Sequence, residues 1–131
     1  MKIEIEYRVP YADTDKMGVV YYANYFVYFE RARNEFLRSA GLPYKELEAQ
    51  GVMLPVVEAV CHYKSPAFYD DLLILSGTIA ELRGARIKID CEVLKNNELI
   101  VSGHTVHACV NSNGRPIRPP KELAALLHIP H

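Results

Sequence analysis

The chain has no tryptophan, no even set of cysteines, no long apolar run and no charge of one sign in excess. Each lack removes a class of protein. Cys61, Cys91 and Cys109 are too few and too widely spaced for a disulfide framework, and no CxxC pair exists for metal or redox work. Set among apolar neighbours, they read as three buried structural thiols. No window approaches the ~18 consecutive apolar residues of a membrane-spanning helix. Fifteen basic residues (15) against 16 acidic ones leave a formal net charge of -1. No global field therefore gathers nucleic acid or anionic lipid, and any anionic ligand must be held locally.

Several motifs are missing as well. There is no HExxH, no GxSxG elbow and no Gly-rich phosphate loop. Of the 5 histidines, His104 and His107 are three apart on an expected strand and so point to opposite faces. His62 stands alone, and His128 and His131 fall at the chain end. No metal and no cofactor are expected. Met1 to Val9 alternates charged and apolar residues instead of following a basic region with an apolar one, so it does not read as a secretory signal. The simplest location is the cytoplasm.

What is present suffices for a core. Half of the 131 residues are hydrophobic (50%), including nine tyrosines (9) and four phenylalanines (4), and 24% are charged. A chain of this length buries roughly two-thirds of its unfolded surface and fits one domain, residues 1–131. Ile3, Ile5, Tyr7 and Val9 alternate with Lys2, Glu4, Glu6 and Arg8, a period of two that predicts a half-buried strand. A polar loop from Pro10 to Gly18 follows. The longest helix is expected from Asn24, read as its N-cap, to Gly41, with Tyr25, Phe29, Ala32, Phe36 and Ala40 forming one bulky stripe. Pro43 to Gln50 predicts a short second helix, with Pro43 near its first turn and Gly51 just past its end.

From Met53 onward β-branched residues dominate. Turn signals at Tyr69-Asp70-Asp71, Arg83-Gly84, Asn96-Asn97 and Ser112-Asn113-Gly114 leave room for four more strands. The clearest is Arg86 to Lys95, where Ile87, Ile89, Cys91 and Val93 alternate with Lys88, Asp90 and Glu92. These four strands are expected to form an antiparallel meander. Arg115 to Pro120 reads as an extended connector, and Pro120 opens a short helix through Leu123, Leu126 and Leu127. The order strand, long helix, short helix, four strands predicts an α+β fold with the long helix across the concave face of the sheet.

Asp13 and Asp15 stand in a Gly-containing loop ahead of a helix. From residue type and spacing alone, both carboxylates read as caps for turn and helix-start amides. The surrounding residues say more: Arg8-Val-Pro-Tyr11-Ala-Asp13-Thr-Asp15-Lys-Met-Gly18-Val-Val-Tyr21-Tyr22-Ala-Asn24-Tyr25, then Phe29-Glu30-Arg31-Ala32-Arg33, Tyr63-Lys64-Ser65-Pro66-Ala67-Phe68-Tyr69-Asp70-Asp71 and Arg83-Gly84. Over nearly the whole chain this resembles the 4-hydroxybenzoyl-CoA thioesterase family, including its small bacterial acyl-CoA thioesterase branch. The resemblance implies a hotdog fold, an antiparallel sheet wrapped around one long helix. It also implies hydrolysis of a small acyl-CoA, short-chain or aromatic, by a homo-oligomer, a dimer or a tetramer of two dimers.

By that resemblance Asp15 is the nucleophile or general base, the backbone amide at Tyr22 is the oxyanion donor, and Asp13 is structural. Tyr11 matches a tyrosine that positions the carboxylate or substrate in some members; its other reading is an amphipathic side chain at a subunit edge. Gly18 and Asn24 match loop and helix-start positions of the substrate site. The chemistry needs this arrangement, because a thioester oxygen gains negative charge on attack and a helix start supplies fixed donors for it. The phosphates of coenzyme A call for basic side chains, and the candidates are Arg83, Arg86, Lys88, Arg115 and Arg118.

The sequence departs from part of the family at two places. Members tied to the Tol-Pal envelope system usually carry His where Tyr22 stands, and Lys16-Met17 replaces small residues. Two other functions share the fold. Hydration of an enoyl-CoA relies on an Asp-His pair, and the Asp15 loop lacks the His. A non-catalytic module binding acyl-CoA or acyl carrier protein would not need Asp15, Gly18 and Asn24 together.

Overall fold

The structure, a computed structural model, describes residues 2–126. Strand β1 spans Ile3–Arg8, helix α1 Asn24–Ser39 and helix α2 Tyr44–Ala49; strands β2 to β5 span Val56–Tyr63, Leu72–Arg83, Arg86–Lys95 and Glu98–Ala108, and helix α3 spans Lys121–Ala125. Alternation builds the strands as the sequence predicts: Ile3, Ile5 and Tyr7 of β1 are half-buried between exposed neighbours, and Ile87, Ile89, Cys91 and Val93 of β4 are buried. Two asparagines with positive φ, Asn96 (52°) and Asn97 (63°), close the two-residue turn between β4 and β5.

Both longer helices stop the same way. After α1 the amides of Gly41 and Leu42 bond back to the carbonyls of Arg38 and Leu37, and after α2 those of Gly51 and Val52 bond back to Glu48 and Leu47. This wrap needs a left-handed residue, and Gly41 (φ 81°) and Gly51 (φ 80°) adopt that conformation without strain. In α3, Leu123 and Leu126 are buried as expected; Leu127, with His128 and His131, lies outside the described residues.

The five strands form one antiparallel sheet in the order β1-β3-β4-β5-β2. The meander expected of the last four strands is therefore corrected: β3, β4 and β5 are sequential neighbours, but β2 pairs with β5 at the far edge. The reason is that β1 already occupies the free side of β3, Arg8 opposite Leu72 and Ile3 opposite Gly77. The turn at Asp70 (φ 71°) is real, yet its amide bonds to Val9, so it feeds β3 into β1 and makes no hairpin with β2.

Helix α1 lies in the concave face of this sheet, the hotdog arrangement. Tyr25, Tyr28, Phe29, Ala32, Phe36 and Leu37 are buried; Tyr28 and Leu37 widen the expected stripe, and Ala40 is only half-buried. Burying Phe29 and Phe36 in full is worth ~1.5–3 kcal/mol each. Two glycines of the sheet lie under the helix. A β carbon at Gly77 would lie 3.5 Å from that of Ala32, and one at Gly103 would lie 3.0 Å from the Phe29 ring and collide with the Val60 carbonyl. Cys91 and Cys109 are buried, but Cys61 is half-buried because it sits on edge strand β2; all three are free thiols. Burial pushes the Cys91 thiol up to about 12, so it stays protonated.

One polar cluster is sealed beside α1. The buried His107 ring lies 2.9 Å from the Leu54 carbonyl through Nδ1 and 2.9 Å from the Thr105 hydroxyl through Nε2, with Arg33 Nη1 3.4 Å from that second nitrogen. Only the tautomer with hydrogen on Nδ1 satisfies these partners. Burial, and then the Arg33 charge, hold the imidazole below its ordinary value despite the Leu54 bond. Among the described residues no helix is long and apolar enough to cross a membrane.

Two stability predictions arise here. Gly103→Ala should lower unfolding free energy by about 1–3 kcal/mol or more in urea titrations, through overpacking. Because the folded-state value of His107 is depressed, the unfolded chain takes up the proton first. The His107 contribution is complete above the unfolded-state value of ~6.5 and is lost as pH falls from there through the lower folded-state value. Melting temperatures measured across that window should decline for the wild type and flatten for His107→Gln.

Candidate active site

The loop between β1 and α1 folds into a small hairpin. After a 3-10 turn at Tyr11–Asp13, Thr14 bridges Val20, the Asp15 amide donates to the Val19 carbonyl at 2.9 Å, and the Gly18 amide closes the turn onto the Asp15 carbonyl at 3.0 Å. Val19 in turn bridges Phe68, and the Val20 amide donates to the Ala67 carbonyl. The segment after β2 thus supports the hairpin from below. The Asp15 side chain is half-buried, and its Oδ1 accepts the Met17 amide at 2.8 Å, the local turn bond that aspartate favours.

Where the hairpin returns, α1 begins. The amides of Asn24, Tyr25 and Phe26 bond back to the carbonyls of Tyr21, Tyr22 and Ala23. The amides of Tyr22 and Ala23 precede that first turn and meet no backbone acceptor among the described residues. Asn24 is not the N-cap expected of it; Ala23 holds that position, with no side-chain cap. The Asn24 amide group is instead committed to the Asp13 carbonyl at 2.9 Å, which also accepts the Tyr21 amide at 2.9 Å.

Beside this helix start lies a pocket of about 300 Å³, lined by Val20, Tyr22, Tyr25, Tyr63, Lys64, Ser65 and Pro66. The Tyr63 hydroxyl donates to the Tyr22 carbonyl at 3.1 Å, tying β2 to the helix entrance. Burial, and then its bond to the Cys61 thiol, push the Tyr63 phenol up to about 12, so it remains a donor at neutral pH. The Tyr22 ring is exposed and packs against Tyr21. Tyr11 is exposed too, with its ring edge-on to Tyr69 at 5.7 Å.

The carboxylate of Asp13 turns the other way. Its Oδ2 accepts the Tyr7 hydroxyl at 2.6 Å and the Tyr28 hydroxyl at 2.8 Å, joining β1 and α1 through the loop. Neither tyrosine, nor Tyr63 with Lys64 and Ser65, stood out as a site residue in the sequence. Tyr7 and Tyr28 belong to apolar stripes, and their hydroxyls become visible only when the stripes meet. Tyr63-Lys64-Ser65-Pro66 did carry a signal in its resemblance to the family.

The basic candidates gather elsewhere. Arg83 and Arg86 flank the β3–β4 turn, at the opposite end of the 12-residue strand β3 from Leu72, which pairs with Arg8 next to the loop. Arg83 is exposed and 3.0 Å from Glu81, Lys88 follows on β4, and Arg115 is exposed beyond β5. Arg118 joins Lys121, missed in the sequence, in a larger cavity of about 670 Å³ with Leu82, Gly84, Pro119 and Ala124. Within one chain they do not rim the Asp15 pocket, since the strands of the sheet run their full length between the two ends.

A family model described as the thioesterase-like superfamily matches residues 9–127, and the chain belongs to that superfamily. It is 36% identical, over 92% of its length and 90% of the relative's, to the acyl-CoA thioesterase YbgC of Haemophilus influenzae. Its structure is similar to that of a hypothetical protein from Aquifex aeolicus (TM-score 0.90, 36% identity, 95% of this chain and 98% of the other). It is also similar to that of a gentisyl-coenzyme A thioesterase (TM-score 0.87, 29% identity, 93% and 99%).

Proposed function

We propose that the chain hydrolyses the thioester of a small acyl-CoA, with Asp15 as nucleophile or general base and the Tyr22 amide as oxyanion donor. The observation that carries this reading is the hairpin bonded to a helix start: among the described residues the Asp15 carboxylate has a single local partner, and the Tyr22 and Ala23 amides have no backbone acceptor, at a helix entrance where Tyr22 lines an aromatic pocket, in a member of the thioesterase-like superfamily. Attack on the thioester carbon puts charge on its oxygen, and a helix-start amide stabilises that charge without reorganising. Gly18 keeps the turn under Asp15 tight, Asn24 holds the helix entrance, and the exposed Tyr11 phenol serves substrate positioning. The pocket of Tyr22, Tyr25 and Tyr63 suits a short or aromatic acyl group, and the similarity to a gentisyl-coenzyme A thioesterase supports the aromatic choice. The cytoplasm is the proposed location.

Hydration of an enoyl-CoA is disfavoured by the described histidines. His62 and His104 line a groove on the outer face of the sheet, and His107 is sealed against Leu54. None of the three lines the Tyr22 pocket.

A working site also needs a second copy. Leu72 and Arg83 lie ~35 Å apart at ~3.3 Å per strand residue, longer than the arm of coenzyme A can bridge from a thioester at Asp15. Strand β2 has one unpaired edge, and Val56 and Val57 on it are about half exposed, at 51% and 48%. Such an edge calls for pairing. If two β2 edges pair antiparallel about a two-fold axis, the Val56 end of one chain, beside the basic residues, meets the Tyr63 end of its partner. In this reading Arg83, Arg86, Lys88, Arg115 and Arg118 of one chain serve Asp15 of the other, in a dimer or a tetramer of two dimers.

Thiol release from a panel of acyl-CoAs tests the activity. Asp15→Asn should lose ~10²–10⁴ in kcat, and single turnover in labelled water should put label into Asp15 if the route is covalent. No turnover by the wild type on any member would favour a module that binds acyl-CoA or acyl carrier protein. Shared sites have their own signature. Co-expressing Asp15→Asn with an Arg83→Ala/Arg118→Ala chain should give heterodimers with one intact site each, and so recover activity that neither parent has; no recovery would assign the basic residues to their own chain.

A further inference from the structure

The two groups assigned to the chemistry sit on different pieces of backbone, Asp15 in the hairpin and the Tyr22 amide at the entrance to α1. Their separation decides whether one thioester can reach both. Asp13 is bonded to both pieces. Its carbonyl receives the Tyr21 amide, one residue before Tyr22, and the Asn24 side chain at the first turn of α1. Its carboxylate receives Tyr7 from β1 and Tyr28 from inside α1, both on the same oxygen.

The carboxylate is poorly disposed to react itself, because one of its oxygens already accepts two phenol hydroxyls, from Tyr7 and Tyr28. Burial, and then the bond each donates to Asp13, push the Tyr7 phenol up to about 12 and raise Tyr28 further, so both hydroxyls stay protonated and both bonds persist at neutral pH. The Arg31 guanidinium lies over the Tyr7 ring, 4.9 Å from its centre, and holds that ring from outside. Tyr7 and Tyr28 also pack ring to ring at 4.8 Å, so the two donors constrain each other.

We propose that Asp13 is the positioning residue of the site, its carboxylate gripped by Tyr7 and Tyr28 so that the Asp15 hairpin and the α1 entrance keep one fixed spacing. The inference rests on the thioesterase reading above. Without the carboxylate, the hairpin keeps its backbone bonds to Ala67 and the helix start and the Asn24 bond, but loses its side-chain tie to β1 and to the body of α1, and the two phenols lose their shared acceptor. A shift of ~1 Å between catalytic groups is enough to cost ~10²-fold in rate. The strongest effect is therefore expected in the chemical step, while substrate binding, which uses other surfaces, changes little.

The test compares Asp13→Ala, Asp13→Asn, Tyr7→Phe and Tyr28→Phe with the wild type on the best acyl-CoA of the panel. Melting temperatures identify the temperature at which every variant is folded, and Tyr28→Phe, which keeps its ring, guards against misfolding of Asp13→Ala. The expected result is a kcat loss of ~10–100-fold for Asp13→Ala with KM within about twofold, and a smaller loss for Asp13→Asn, whose side-chain oxygen still accepts a bond. In an Asp15→Asn background Asp13→Ala should add little, because a misplaced group that is already inactive has nothing to lose. Folded variants with wild-type kcat, a loss confined to KM or melting temperature, or full additivity with Asp15→Asn would each overturn the proposal. A wild type inert on every thioester would overturn the thioesterase reading and this inference together, whereas an active wild type matched by Asp13→Ala overturns this inference alone.

Discussion

The close approach of α1 to the sheet is the constraint on which the rest depends. Phe29 and Ala32 settle over Gly103 and Gly77, where the sheet presents no side chain to the helix. That contact sets the height of the whole helix, and with it the position of its first turn. The unpaired amides of Tyr22 and Ala23, the Tyr28 hydroxyl and the Tyr25 ring are all fixed as consequences of how deeply the helix lies. A site at a helix start inherits its precision from packing two turns further along.

The polar connections follow the same economy. A short loop between β1 and α1 is held by β1 through Tyr7, by α1 through Tyr28 and Asn24, and by the segment after β2 through Ala67 and Phe68. Each partner comes from an element already ordered by burial, so ordering the loop adds little further entropy cost. The neutral His107 uses the same device at the other end of the sheet, where both of its ring nitrogens meet partners on elements already ordered by burial.

The two ends of the sheet carry different chemistry, a carboxylate and helix-start amides at one, a set of arginines and lysines at the other. A single copy separates them by the length of its longest strand. The open β2 edge is the feature through which a second copy would bring them together, and in the proposed reading the catalytic unit is the pair.

Most of the fold was legible in the sequence because it rests on periodicity. Alternation in β1 and β4, the apolar stripe of α1, the glycines after α1 and α2 and the asparagine turn are local properties, and a few residues determine each of them. Asp15, Tyr22 and their loop were legible through the family pattern around them, not through residue type. The path of β2 was not, because the choice between β3 and β5 depends on whether β1 has already taken the edge of β3, a fact no local window contains. Nor was the Asp13 clamp, since the Tyr7 and Tyr28 hydroxyls are hidden in apolar patterns until two distant elements meet on one carboxylate oxygen. The gathering of Arg83, Arg86, Arg115 and Arg118 away from Asp15 was decided in the same way: sequence alone tells which charges exist, and only the tertiary structure, through strand length and direction, decides which end of the sheet they share.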